Sequence, residues 1–477
     1  METPLYDSLI EYILEDNLRL HMPGHIGKLT SLAEELQMVA KIDLTEVPSM
    51  DDLHLPVGAI KEALHLFAKA YNAKESIFLV NGATSGINAL FLALASDKGK
   101  ILIPRSAHRS FYTGLVLSGL WPVYLEDEFM EGLDIPIGAM PNEIAEKLKS
   151  SPNISGAFLT SPNYYGITTD VKQMSELCQA YCLPLLIDEA HGSHFPFHPL
   201  YPTPALSAGA DAVVNGLHKT LPVLNQGAVL NIGFNCTFTQ KLRTAASLIT
   251  TTSPSFPILA SIDLARALME SEGEGLLEEA RILSAEYNQK INSIKGLRTL
   301  SAEFINRSDF SELDPLKLVV IVDKLSIDGY QVADILLDDY KIQVEWANTV
   351  MVLGMFSILH TRDDWERFYY ALEEIAVKYM TDKLKPKSPF IKALPKVLIS
   401  PRQAFFSPKK TLRLKDSVGL IAGEMVTVYP PGIPVLLPGE LITADILDYL
   451  LFIKANNWRI QGLADEGLNY IDVIEYA

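Results

Sequence analysis

Lys219 is the residue of this 477-residue chain whose neighbours point most directly to chemistry. It follows His218 in the segment DAVVNGLHKTLPVLNQGAVL, between two apolar runs. A lysine held in apolar surroundings loses part of the stabilisation of its charge, so its amine becomes a usable nucleophile for an aldehyde. A lysine on a surface loop would show the same local pattern, and Lys219 alone does not decide between the two.

Asp188 is a second polar group at the end of an apolar run, in the segment LLIDEAHG. A buried carboxylate there is costly unless a cation meets it, and a protonated pyridine nitrogen is such a cation. Ala190 is small enough to let a ring lie flat, and His191 could donate to a ring hydroxyl. A strand-end aspartate satisfied by its surroundings, or the aspartate of a nucleotide or metal site, fits the same segment.

Two further segments follow apolar runs. NGATSG (81–86) precedes the helical pattern INALFLAL, and its small residues would let backbone N–H groups point at a phosphate, with Thr84 and Ser85 adding hydroxyl donors. His108, in PRSAHRS, could stack on a planar cofactor. Taken alone, NGATSG also fits a helix start without a ligand, and His108 fits a packed or surface histidine.

The elements that must position these groups are short apolar runs separated by helices and Gly/Pro turns. In chain order the runs are SIFLV, KILIP, WPVYL, GAFLT, LPLLID, DAVVN and GAVLNI. They are mostly continuous rather than alternating, which is typical of strands buried on both faces. With helices between them they predict an α/β fold with a mostly parallel sheet, whose strand ends are where ligands bind.

The pattern along the chain predicts four parts. These are an N-terminal arm (1–56), a large domain (57–300), a small α+β domain (301–385) and a C-terminal domain (386–477). In the third part KLVVIV, IQVEWA and VMVLGMF read as strands, with helices after the first and the last of them. KLKPKSP, near the boundary of the last two parts, has the composition of a linker.

The composition limits the classes of partner and the location. The chain has 58 acidic and 40 basic residues and a net charge of -18, which would repel nucleic acid and anionic membranes. Neither a basic leader with an apolar core nor a membrane-spanning apolar stretch is visible. Three cysteines, Cys178, Cys182 and Cys236, do not make a disulfide framework or a metal cluster. We therefore expect a cytoplasmic protein without a bound metal.

The order of these motifs is typical of fold-type I enzymes that use pyridoxal 5'-phosphate (PLP). The chain closely resembles the bacterial arginine/lysine/ornithine decarboxylases over nearly its whole length. The shared motifs are HMPGH, DLTEVPSMDDLHLPVGAIKEA, NGATSG, PRSAHRS, SPNYYG, DEAHGSH, the HK pair, TTSPSF and PPGIPVLLPGE. The resemblance is to the shorter, biosynthetic-type members, which lack an N-terminal wing domain. It implies an aspartate aminotransferase-like large domain with a mixed, mostly parallel seven-stranded sheet.

The resemblance also implies roles for individual residues. It makes Lys219 the Schiff-base lysine, pairs Asp188 with the ring nitrogen and stacks His108 on the ring. It places His191 near the ring oxygen. The phosphate pocket implied by the resemblance consists of Ala83, Thr84, Ser85 and His218.

The resemblance further implies an assembly and a reaction. TTSPSF (251–256) matches a stretch that approaches the partner subunit's cofactor in relatives, which implies a homodimer; a tetramer remains open. The implied reaction is decarboxylation of a basic amino acid, with L-arginine preferred over lysine and ornithine. His218 or Lys219 would return the proton to Cα. Glu345 and Glu424 are candidates to meet the distal cation of the substrate, and a solvated surface carboxylate fits each of these positions as well.

Two departures from the family pattern keep other functions open. Gly216 stands where a serine is usual, and Asn225 where a small hydroxyl residue is common, which puts the affinity for phosphate in doubt. A non-catalytic PLP-binding regulatory protein is therefore one alternative. A fold-type I aminotransferase is the other, with Arg402 holding the α-carboxylate of its substrate.

Overall fold

The computed structural model describes residues 2–29, 34–130, 133, 135–301, 312–381, 394–428, 433–456 and 460–475. The linker-like segment KLKPKSP (383–389) and the residues PPG (430–432) lie outside them.

The helices are α1 Pro4–Leu14, α2 Gln37–Ile42, α3 Ala59–Ala70, α4 Gly82–Ala93, α5 Ser110–Ser118, α6 Pro141–Ser150, α7 Val171–Ala180, α8 Leu217–Thr220, α9 Thr239–Ile249, α10 Phe256–Ser293, α11 Gly329–Asp338, α12 Arg362–Tyr379, α13 Pro401–Phe406 and α14 Ala444–Ala455.

The strands follow in the same chain order. They are β1 Glu75–Leu79, β2 Lys100–Pro104, β3 Trp121–Leu125, β4 Asp127–Phe129, β5 Pro136–Ala139, β6 Ile154–Thr160, β7 Leu185–Asp188, β8 Ala212–Asn215, β9 Ala228–Ile232, β10 Arg298–Thr299, β11 Lys317–Ile321, β12 Trp346–Ala347, β13 Met351–Met355, β14 Lys409–Arg413, β15 Val426–Val428, β16 Ile433–Leu436, β17 Ile460–Gln461 and β18 Tyr470–Ile474.

A seven-stranded sheet has the order β1-β9-β8-β7-β6-β2-β3. The pairs β2/β3, β2/β6 and β7/β8 are parallel, whereas β9 is antiparallel to both of its neighbours. Every residue of β7, β8 and β9 is buried, as the continuous apolar runs predict. The seven predicted strands and the mixed, mostly parallel α/β fold are confirmed.

The chain forms two compact units, each made of two separate stretches. The first unit contains residues 1–93 and 171–278, and the second contains residues 94–170 and 279–477. The division into an arm, a large domain, a small domain and a C-terminal domain stays a prediction.

Helix α4 of the first unit packs unusually closely on the sheet. A Cβ atom added at Gly86 would lie 2.7 Å from Cδ1 of Leu79 and 2.9 Å from Cγ2 of Val214. Only glycine lets the first turn of the helix approach β1 and β8 this closely. The first turn of α4 is thereby fixed beside the end of β1.

The second unit contains an antiparallel sheet of order β10-β11-β13-β12. Its core includes Val320, Val352 and Trp365. The expected strand IQVEWA is shorter than predicted, because only Trp346–Ala347 pairs with β13. A separate apolar cluster forms around α14, β15 and β18 and includes Leu450, Val426 and Val473.

Candidate active site

Lys219 lies on the short helix α8, directly after the buried strand β8. Its backbone N–H donates to the carbonyl oxygen of Gly216 at 2.9 Å, and its Nζ lies 3.1 Å from Nε2 of His191. His191 is buried. The amine is therefore held beside an imidazole rather than free on a surface loop.

Asp188 is the last residue of β7 and is buried. Its Oδ1 accepts the N–H of Ala190 at 3.1 Å. Burial raises the pKa of this carboxyl, and the nearby charge of Lys219 and the Ala190 hydrogen bond lower it in part. The structure thus brings Asp188, His191 and Lys219 into one group, although they come from different segments of the chain.

His218 is tied to the backbone of the following turn. Its Nδ1 lies 3.0 Å from the carbonyl oxygen of Gly227, which can only accept, so Nδ1 carries the proton. Burial lowers the pKa of His218, and the charge of Lys219 lowers it further against the effect of the Gly227 bond. The Nδ1 proton of His218 is therefore held by a backbone carbonyl oxygen.

The first turn of α4 holds the residues expected to meet a phosphate. Ala83 and Ser85 are buried, whereas the Thr84 side chain is exposed. The Ser85 hydroxyl donates to the carbonyl oxygen of Gly82 at 2.8 Å, so the exposed hydroxyl of Thr84 is the better placed side-chain donor for a ligand. Gly82 has a φ of +72°, which glycine adopts without strain.

Gly216 caps the start of α8. A Cβ atom at this position would lie 2.9 Å from the carbonyl oxygen of Ala190 and 3.2 Å from its Cβ. The turn before Lys219 therefore runs against the segment after Asp188. Asn225, the other departure from the family pattern, is exposed, and its Oδ1 accepts the N–H of Gln226. The close approach to Ala190 gives the glycine a physical reason that the sequence does not reveal.

His108 lies in the second unit, in the loop between β2 and α5. It is half-buried, and its Nδ1 is 3.0 Å from the Ser110 hydroxyl. The backbone N–H of Ser110 also donates to Nδ1, at 3.3 Å. The ring is thus oriented by the residue that begins the following helix.

Glu189 is a buried acid that sequence reasoning missed. Its Oε2 accepts from the Asn215 amide at 2.9 Å and its Oε1 from the N–H of Ala205 at 2.7 Å. The Asn231 amide donates to Asn215 at 2.9 Å, and the Ser76 hydroxyl donates to Asn231 at 2.6 Å. Burial is the main cause that raises the pKa of Glu189 to about 8. The pair of acids in DEAHG, together with the asparagines in VVN and LNI, was the available signal.

Two other charged residues have structural partners. Glu424 is buried and accepts the backbone N–H groups of Ala464 and Asp472 at 2.9 and 2.8 Å. Arg402 donates to the carbonyl oxygens of Val116 and Leu117 at the end of α5. Both groups are therefore engaged in holding the backbone.

Glu345 is exposed and accepts a hydrogen bond from the Tyr164 hydroxyl, in the motif SPNYYG. Of the two carboxylates proposed from the sequence for a cationic substrate, Glu345 is the one that solvent reaches.

The donor groups of the first unit fit PLP. A lysine amine can hold the aldehyde, a buried carboxylate can meet the ring nitrogen, and a helix start with an exposed hydroxyl can meet the phosphate. Within the described parts of the chain, no cluster of three or more His, Cys, Asp or Glu residues could hold a metal ion. None of the helices described there combines the length and apolar character that crossing a membrane requires.

Comparison with known proteins gives two family matches. The model "Orn/Lys/Arg decarboxylase, major domain" matches residues 3–364, and "Orn/Lys/Arg decarboxylase, C-terminal domain" matches residues 386–468. The chain is 32% identical to the arginine decarboxylase of Bacillus subtilis (strain 168), over 99% of this chain and 98% of that protein.

Solved structures show the same fold. The lysine decarboxylase LdcF of Francisella novicida superposes with a TM-score of 0.83 at 22% identity, over 99% of this chain and 81% of that one. The constitutive lysine decarboxylase of E. coli superposes with a TM-score of 0.84 at 20% identity, over 99% and 82% of the two chains.

Proposed function

Because the chain belongs to the Orn/Lys/Arg decarboxylase family, we propose that this PLP-dependent decarboxylase converts L-arginine to agmatine and CO2. The observation that carries the choice of arginine is the full-length similarity to a protein named arginine decarboxylase. Lysine and ornithine are the competing substrates, since similar structures are those of lysine decarboxylases.

Within this proposal each polar group of the site has one task. Bound PLP supplies an electron sink for the electron pair that remains when CO2 leaves. Lys219 holds the aldehyde, Asp188 keeps a proton on the ring nitrogen, and His191, 3.1 Å from the Lys219 amine, steadies the lysine and meets the ring oxygen. His108 stacks on the ring. The phosphate is held at the start of α4 by Ala83, Thr84 and Ser85, and by His218 on α8.

The proton that replaces CO2 on Cα comes, in this proposal, from Lys219. His218 is the alternative donor, but its Nδ1 proton is committed to Gly227 and burial lowers its pKa. Glu345 meets the distal guanidinium of arginine, since its carboxylate is exposed. A planar guanidinium can form two parallel hydrogen bonds with such a group, which lysine and ornithine cannot.

We also propose that the enzyme works as a homodimer in the cytoplasm. The stretch TTSPSF and an exposed apolar surface on the N-terminal arm support the dimer. The arm surface consists of Leu14, Leu18, Leu20 and Met22, which are 78%, 81%, 87% and 66% exposed. A second copy of the chain would remove this surface from water. Three free cysteines support a reducing compartment.

The two alternatives lose support at specific residues. An aminotransferase of this fold needs an arginine for the α-carboxylate, and Arg402 already caps α5. A non-catalytic PLP-binding protein was suggested by Gly216, and that glycine now has a packing reason.

The test is a substrate panel with product identification. Wild-type protein with PLP is given arginine, lysine and ornithine, and CO2, amines and keto acids are quantified. We expect agmatine and CO2 from arginine, no keto acid, and loss of activity in Lys219→Ala. Lys241→Ala, at an exposed position of α9, is the matched control and should keep its activity. Equal CO2 release by wild type and Lys219→Ala would contradict the role of Lys219. A keto acid product would favour the aminotransferase.

A further inference from the structure

The loop that carries His108 consists of residues 105–109, between β2 and α5 of the second unit. The backbone N–H of Ser106 donates to Oδ2 of Asp127 at 3.1 Å, just beyond the neighbouring strand β3. The two arginines of the loop reach much farther along the chain. Both contact the C-terminal segment, which we define as the described residues within 394–475.

Arg105 holds the start of the loop. Its Nη1 donates to the carbonyl oxygen of Pro434 at 2.7 Å, and its Nη2 to Oε2 of Glu440 at 3.1 Å. The guanidinium carbon also lies 5.5 Å from the centre of the Tyr124 ring. Arg105 is therefore held by a carbonyl, a carboxylate and an aromatic face.

The surroundings of Glu440 orient its carboxylate toward Arg105. It is 1% exposed, so its charge needs partners to be tolerated. Its Oε1 accepts the Tyr124 hydroxyl at 2.9 Å, and its Oε2 accepts the backbone N–H of Leu437 at 2.8 Å as well as Arg105. These bonds fix the carboxylate in one orientation and, through it, Arg105.

Arg109 holds the other end of the loop. Its Nη1 donates to Oε1 of Gln461 on β17 at 3.0 Å. The helix that follows is held by the same segment, because Arg402 donates to the carbonyl oxygens of Val116 and Leu117. Thus the C-terminal segment contacts the loop on both sides of His108 and also the far end of α5.

We propose that Glu440 and Gln461 are positioning residues that set the place of the His108 ring through Arg105 and Arg109. The inference rests on the proposed function, in which His108 stacks on PLP. Two residues separate Arg105 from His108 along the chain, and Arg109 adjoins His108, so fixing both arginines leaves the histidine little freedom. Small displacements of a supporting loop reduce binding and catalysis strongly.

The test is a double-mutant cycle on the holoenzyme. Glu440→Gln, Gln461→Ala and His108→Ala are made singly, and each of the first two is combined with His108→Ala. The dissociation constant of PLP is measured from the visible absorbance of the lysine-bound cofactor, together with kcat and KM for arginine. Glu286→Gln, which removes an exposed ion pair with Arg362 in the same unit, is the matched control.

We expect Glu440→Gln and Gln461→Ala to weaken PLP binding by about tenfold, the effect of losing one strong hydrogen bond. On the His108→Ala background the same changes should have less than about a twofold effect, because the positioned ring is gone. Glu286→Gln should leave the dissociation constant unchanged. Since Glu440 is buried, its variant could fail to fold, and Gln461→Ala, at a half-buried surface position, then carries the test.

Equal weakening with and without His108 would overturn the inference, because the two residues would then act on the fold and not through the ring. No weakening at all would also overturn it, because PLP binding would then not depend on the two residues. If His108→Ala itself leaves PLP binding unchanged, the stacking role of His108 in the proposed function fails, and the inference fails with it. If His108→Ala weakens binding while both other variants behave like wild type, only the inference fails.

Discussion

Asp188 and Glu189 are neighbours in the chain, yet they meet different partners. Burial raises the pKa of Asp188, and the nearby charge of Lys219 opposes that effect. Glu189 is buried among amides and a backbone N–H, and burial raises its pKa to about 8. Only Asp188 therefore has a lysine that favours its ionised form, which suits the carboxylate that the proposed mechanism needs.

Glu189 should make the stability of the protein depend on pH. Its pKa is 4.5 in the unfolded chain and about 8 in the folded one, so the folded state holds the proton more tightly. This contribution to stability is complete below about pH 4.5 and is lost as the pH rises to about 8. Glutamine does not titrate, so Glu189→Gln lacks this pH-dependent loss of stability. Relative to wild type, its free energy of unfolding should therefore rise by up to about 1.4 kcal/mol per pH unit in that window.

The measurement for this prediction is the difference in the free energy of unfolding between Glu189→Gln and wild type, from urea titrations at pH 5, 7 and 9. Glutamine can be accommodated if the amides of Asn215 and Asn231 reverse together, since these form a chain with Ser76. A difference that stays constant across the three pH values would show that Glu189 is ionised throughout.

At the scale of single residues, the sequence was sufficient to predict which polar side chains at the ends of apolar runs lie close together. Asp188, His191 and Lys219 could be placed together because buried parallel strands bring their carboxyl ends to one edge. The glutamate network was not predictable in the same way. Its members Ser76, Asn215 and Asn231 come from three strands, and their meeting depends on the order of β1, β9 and β8 in the sheet.

At the scale of single elements, the distance between α4 and the sheet controls the proposed phosphate site. Gly86→Ala would place a Cβ atom 2.7 Å from Cδ1 of Leu79 and push the first turn outward. We expect the free energy of unfolding to fall by about 1–3 kcal/mol and the affinity for PLP to fall with it. Gly275→Ala, in α10, is the control: apart from its chain neighbours and the backbone of its own helix, no described atom lies within 4 Å of the new Cβ, so the change should be neutral or slightly stabilising. An unchanged PLP affinity in Gly86→Ala would show that phosphate binding does not depend on the position of α4.

The turn before Lys219 gives a second prediction at the same scale. Gly216→Ser introduces the hydroxyl usual in the family, but its Cβ would lie 2.9 Å from the carbonyl oxygen of Ala190. Crowding against the backbone should lower the free energy of unfolding by about 1–3 kcal/mol and weaken PLP binding. Gly216→Ala has the same Cβ without the hydroxyl, so the two variants should behave alike. Tighter PLP binding in the serine variant alone would show that the hydroxyl matters more than the crowding.

Element prediction succeeded for all seven runs of the large sheet and was less accurate at the edge of the smaller sheet. The seven apolar runs became strands, and every residue of the inner strands β7, β8 and β9 is buried. IQVEWA has the composition of a strand, yet residues 341–345 alternate between exposed and half-buried, and only Trp346–Ala347 pairs with β13. The number of residues that an edge strand pairs depends on its neighbour, which its own sequence does not contain.

For the molecule as a whole, a substitution in the arm surface should weaken the proposed dimer. This surface consists of Leu14, Leu18, Leu20 and Met22. Leu20→Asp replaces an apolar side chain that is 87% exposed with a charged one. If a second copy covers it, the dissociation constant of the dimer should rise at least about tenfold, as for loss of one well-buried interface side chain. Sedimentation velocity at several protein concentrations measures this. Val377→Asp, on the exposed face of α12 at 83% exposure, is the control and should leave the assembly unchanged. If both variants give the same sedimentation profile, the arm surface is not part of the dimer interface.

The contacts between the His108 loop and the C-terminal segment also set an order of events during protein synthesis. Arg105 and Glu440 lie 335 positions apart, and Arg109 and Gln461 lie 352 apart. At about 5–20 residues per second, a ribosome needs roughly 20 to 70 s to make the anchors after it has made the loop. Asp188 and Lys219 are made within that interval, while the loop still has no anchor. If His108 and its anchors act as proposed, a nascent chain that meets PLP early meets an unfinished site, and full binding of the cofactor requires that Gln461 has been made.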